Sequence, residues 1–97
     1  MLVEERFFKQ NEGFVEQNIA GETILVSLVD SVAQMNEVIT LNELGTFVYD
    51  LLKETRSFDE LLKQILAEYE VSEEDASRDL NKFLENALDK KIIFERD

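Results

Sequence analysis

Carboxylates are the side chains of this chain whose spacing can do chemistry. Asp75 with Asp79, and Glu85 with Asp89, stand four residues apart. On a helix that spacing puts both members on one face, where they can act as an acid and base pair or hold a hard cation. Nothing else converges on either pair, so a solvated face of an acidic helix is the stronger reading. The chain has no His and no Cys. That removes a Ser-His-Asp triad, a Cys nucleophile, a zinc site with N or S ligands and a Glu-x-x-His di-iron site. There is no Gly-rich phosphate loop either. An enzyme would have to work with carboxylates, Lys, Tyr and Ser alone, and no catalytic residue, metal ligand or cofactor is expected.

The elements that would position any site follow from periodicity. With 97 residues, 44% of them hydrophobic, the chain can bury one core. Residues 14 to 29 predict a hairpin, with "FVEQNI" and "ETILVSLV" as strands and Ala20-Gly21 as the turn, Gly21 supplying a positive φ. "DSVAQMN" (30 to 36) is polar enough for a loop, and a third strand is expected over Glu37 to Thr40. At Leu41 the period changes, with apolar residues at Leu41, Leu44, Phe47, Val48, Leu51 and Leu52 in helical spacing. Thr40 and Glu43 have the spacing of a capping box, with Ile39 and Leu44 at the staple positions.

A second helix is expected from Ser57, where Ser57 and Glu60 repeat the capping box, burying Leu61, Leu62, Ile65, Leu66 and Tyr69. A third starts at Ser72, with Glu73, Glu74 and Asp75 in its first turn, where acids favour the helix dipole. Its apolar face is Ala76, Leu80, Phe83, Leu84, Ala87 and Leu88, and Lys90 and Lys91 close it before a short strand, Ile92 to Phe94. Leu44, Val48, Leu66, Leu80 and Leu84 are predicted to share one core. The fold class is α+β and winged helix-turn-helix-like: a three-stranded N-terminal antiparallel sheet followed by three helices.

That layout raises DNA binding, and the charges oppose it. The first turn of the third helix would meet phosphates and base edges, yet it carries three carboxylates. Arg78 is expected to be held by Glu74 in an i,i+4 pair. With 22 acids against 10 bases, a formal charge of −12 repels phosphate backbones and anionic membranes, so no nucleic-acid or membrane partner is expected. Neither a secretory h-region nor an apolar run of bilayer length occurs, which predicts a cytoplasmic protein. Asp30-Ser31-Val32 invites comparison with the attachment site of acyl carrier proteins, but β-rich residues precede it where those carriers are helical. A polar loop is the better reading. Gly45 costs its helix about 1 kcal/mol relative to Ala, which predicts a close approach by another backbone, a strand or the third helix.

In order along the chain, "AGETILV" (Ala20 to Val26), "ITLNELGTFVYDLL" (Ile39 to Leu52), "EYEVSEEDASRDLNKFLENAL" (Glu68 to Leu88) and "KKIIF" resemble the PqqD-like family, the RiPP recognition elements. The Leu-Asn-Glu-x-Gly entry to helix one and the Glu-Tyr-x-Val-Ser start of helix three, with Asp79 and Phe83 following, are the most specific pieces. The resemblance spans residues 14 to 95. It divides the chain into an N-terminal extension, 1–13, and a peptide-binding domain, 14–97.

The resemblance implies a peptide chaperone in natural-product biosynthesis. Family members bind the leader of a ribosomally made precursor peptide and present it to a modifying enzyme, such as a radical SAM maturase. The leader adds as an antiparallel strand to the third strand and lies against the third helix. Carried over, the peptide-binding residues are Glu37, Val38, Ile39 and Thr40 on the strand, with Ala76, Asp79, Leu80, Lys82 and Phe83 on the helix. A short edge strand running straight into a capped helix suits strand addition, because its unpaired backbone groups stand at a fixed angle to the core. The alternative is a generic interaction or dimerisation module without a peptide client. The sequence leaves open whether the chain forms a homodimer by strand exchange.

Overall fold

The computed structural model describes residues 6–20, 22–27 and 38–96. Gly21, Glu37 and the Asp30-Ser31-Val32 stretch lie outside the described residues. The elements are β1 (Phe7–Gln10), β2 (Phe14–Ile19), β3 (Glu22–Ser27), β4 (Val38–Leu41), α1 (Glu43–Leu51), β5 (Arg56–Ser57), α2 (Phe58–Glu68), α3 (Glu73–Asp89) and β6 (Ile93–Arg96). They form an α+β fold of three helices and two three-stranded antiparallel sheets, ordered β2-β3-β4 and β5-β1-β6.

The first sheet is the expected one. The β2–β3 hairpin closes at Ile19 opposite Glu22. Ala20, the first residue of the turn, is in the left-handed region with φ of 53°. β4 runs one residue further than expected, with Thr23 opposite Leu41. That extra pair moves the helix cap. Leu41 is drawn into the core as the last strand residue, and Asn42 becomes the N-cap, its Oδ1 accepting from the Gly45 N–H at 2.8 Å. Thr40, expected as the cap, is an exposed strand residue opposite Ile24. The staple positions pass from Ile39 and Leu44 to Leu41 and Thr46.

The other two helix starts form as their sequences predict. Ser57 and Glu60 complete a capping box, with bonds of 3.1 and 2.9 Å. Ser72 accepts from the Asp75 N–H at 3.1 Å. α3 ends in a Schellman turn: the Ile92 N–H bonds the Ala87 carbonyl and the Lys91 N–H the Leu88 carbonyl, with Lys91 at φ 64°. The terminal strand therefore starts at Ile93 rather than Ile92. Arg78 bonds Asp75 at 2.8 Å, not Glu74, since a three-residue reach brings the aspartate to the guanidinium.

Of the second sheet the sequence pattern predicts only the terminal strand, and no element before residue 14. β1 is its middle strand, with β5 on one side and β6 on the other. Asn11 and Gln10 fasten its end, donating main-chain bonds to Ile92 and Leu52. Phe8 goes into the core with Leu25, Val48, Leu52, Leu61, Leu80, Leu84 and Ile93. Val48, Leu80 and Leu84 are buried as expected, while Leu44 and Leu66 are partly buried at its margin.

Candidate functional site

β4 is the edge of its sheet: β3 pairs with one side, and among the described residues no strand pairs with the other. Register says which backbone groups look outward. In a hairpin with a two-residue connection the closing pair, Ile19 with Glu22, exchanges main-chain bonds, and antiparallel pairs alternate thereafter. The main chain of Glu22, Ile24 and Val26 thus faces β2, and that of Thr23 and Leu25 faces β4. Their partners Leu41 and Ile39 spend their backbone groups on β3. Val38 and Thr40 direct theirs outward. Side chains alternate in step, Ile39 and Leu41 buried, Val38 and Thr40 exposed.

α3 stands against the start of α1. The Phe83 ring lies where a Cβ on Gly45 would meet its Cε1 at 3.0 Å. The close approach expected at Gly45 thus comes from the third helix, through a side chain rather than a backbone. Two turns toward the N-terminus of α3, a cavity of about 220 Å³ opens between α1, the end of α2 and α3. Leu44, Ile65, Val71 and Ala76 give it apolar walls. The Tyr69 ring, packed edge-on to Phe47 at 5.5 Å, completes them. Glu43 and Asp79 bring carboxylates to the same cavity. Burial foremost, then the charge and hydrogen bond of Glu43, push the Tyr69 hydroxyl above its ordinary pKa.

The residues singled out in the sequence are thus sorted. Val38 and Thr40 are on the open edge, with Ile39 behind them in the core. Phe83 is half-buried beside α1, and Asp79 lines the cavity. Ala76 forms cavity wall while almost wholly buried, and Leu80, 0% exposed, is sealed in the core. Lys82 lies on the outer face of α3, in a broad groove with Ser77, Arg78 and Asn81. Glu43, Leu44, Tyr69 and Val71 also line the cavity, though the sequence reading did not name them as site residues. Their signal was present only as the Leu-Asn-Glu and Glu-Tyr-x-Val-Ser stretches.

The family described as Coenzyme PQQ synthesis protein D (PqqD) matches residues 19–93. The chain belongs to the PqqD family. Two solved structures share this PqqD-type fold. TbiB1 in complex with the TbiA(beta) leader peptide is 28% identical, with a TM-score of 0.72 over 88% of this chain and 93% of that one. Lasso peptide synthetase B1 complexed with the leader peptide is 17% identical, with a TM-score of 0.72 over 90% of this chain and 96% of that one. A comparison with curated proteins found no match. No helix among the described residues is long and apolar enough to cross a membrane.

Proposed function

We propose that this PqqD-family chain is a RiPP recognition element, which binds the leader of a ribosomally made precursor peptide and presents it to a modifying enzyme. The leader adds as an antiparallel strand along β4. The observation that carries the reading is the open edge, where Val38 and Thr40 direct outward main-chain groups that no strand among the described residues takes up. The likeness to TbiB1, solved with a leader peptide bound, supports it. Main-chain bonds supply affinity, and contacts with Phe83 and Asp79 select side chains. Residues 14–97 are the peptide-binding domain, with β1 bracing it from outside the site. The role is binding rather than catalysis, in the cytoplasm where precursors are made, and a radical SAM maturase is one class of enzyme that would take the bound leader.

A short strand loses conformational entropy on ordering, so affinity on the order of micromolar is expected, near −8 kcal/mol. The test is an NMR titration of labelled protein with the precursor leader encoded nearest to it. Amide shifts are expected along 38–41 and on α3. Val38→Pro removes one outward N–H without touching the β3 ladder, and should weaken binding about tenfold, the loss of one main-chain bond at the upper end of its usual range. Shifts that cluster elsewhere, or a folded Val38→Pro variant that binds as tightly as the parent, overturn strand addition at this edge.

A further inference from the structure

We infer that the cavity between α1, α2 and α3 is a socket for one basic side chain, Lys or Arg, of the bound peptide. The inference rests on the leader-binding reading and adds a chemical class to it.

The walls and the rim ask for different things. Leu44, the Tyr69 ring and Val71 offer apolar surface, and Val71 is 45% exposed at the lip, an apolar side chain left to solvent beside an apolar hollow. A purely apolar occupant would satisfy those walls. It would also take the Glu43 and Asp79 carboxylates partly out of water with nothing in return, which is costly. A Lys or Arg satisfies both, laying its methylene stem on the walls and its cation between the two acids. Neither acid has a strong cationic partner among the described residues: Asp79 has only Arg78 Nε at 3.9 Å, while that guanidinium bonds Asp75 at 2.8 Å. Glu43 faces the Tyr69 hydroxyl, a neutral group, and has no ion pair among the described residues. The net charge of −12 favours the same sign of ligand.

The position along the peptide follows from topology. β4 runs from Val38 to Leu41 toward Glu43, and the socket lies at that end. A peptide antiparallel to β4 begins at the Leu41 end, so the basic residue precedes the paired segment rather than following it.

The probe is a library of randomised extended 12-residue peptides, displayed and selected on the full chain. Selected peptides whose amide shifts fall on β4 should carry Lys or Arg at one fixed position ahead of the paired residues. Replacing that residue by norleucine should weaken binding about tenfold, as for a charge-assisted hydrogen bond. In a Glu43→Gln, Asp79→Asn variant, whose changes are at exposed positions, the same replacement should cost less than about twofold. An isomeric peptide of equal charge, with the Lys moved past the paired segment, should bind as weakly as the norleucine peptide. If the isomer binds as well as the original, the attraction is diffuse and the socket is wrong. If selected peptides map to β4 with no basic preference, the socket is wrong while leader binding stands. If none maps to β4, both readings fail together.

Discussion

Phe8→Ala probes the strand that no pattern in the sequence announced. Phe8 is 0% exposed, in β1 between Arg56 of β5 and Glu95 of β6. Truncating a fully buried Phe removes its transfer free energy and leaves a cavity, together about 3–5 kcal/mol. A domain of this size is worth only about 5–15 kcal/mol in total, so the loss is a large share. At about 4–8 °C per kcal/mol the melting temperature should fall by at least about 12 °C. Phe7, one residue earlier and facing the other way, is only partly buried, and Phe7→Ala should cost about 1 kcal/mol. Urea unfolding followed by circular dichroism measures both, and an unchanged slope would show that stability alone has moved. Because β1 lies away from β4, the folded Phe8→Ala protein should bind a leader as the parent does. A cost below about 1 kcal/mol at unchanged slope would refute the placement of Phe8, and with it β1 as the middle of the second sheet.

Gly45→Val places a side chain against Phe83, whose Cε1 a bare Cβ already meets at 3.0 Å, and against the capping Oδ1 of Asn42 at 3.1 Å. Overpacking of this kind costs about 1–3 kcal/mol. In a Phe83→Ala background the cost should fall by half or more, and an unchanged cost in chemical denaturation would place the conflict elsewhere. Glu16 gives a pH signature: burial first, then the charge of Asp50, raise its carboxyl above the ordinary value, with Lys53 opposing. A raised folded-state pKa means that the stability from protonated Glu16 is complete below the unfolded pKa and is lost as pH rises through the folded one. Glu16→Gln should therefore melt higher than the parent at pH 7 and show no such gain near pH 3.5, and an equal gain at both would contradict the shift.

What the sequence determined by itself is what a few neighbouring residues can decide. Ser57 with Glu60, and Ser72, start their helices because a cap needs partners only three residues away. The faces of α2 and α3 follow from period 3.6, and the β2–β3 hairpin from two β-rich runs around a short turn. The order of these pieces was enough to point to the PqqD family. The rest waited on contacts distant in sequence. "FFKQ" is too short to announce a strand, and β1 exists because residues 56–57 and 93–96 pair with it. The cap moved from Thr40 to Asn42 because β3 pairs as far as Leu41, a matter of register that the local capping pattern does not contain. Asp79 and Lys82 are three residues apart in one helix, yet one lines the cavity and the other the outer groove. Only the packing of α1 and α2 against α3 separates them, since a helix alone has no inside.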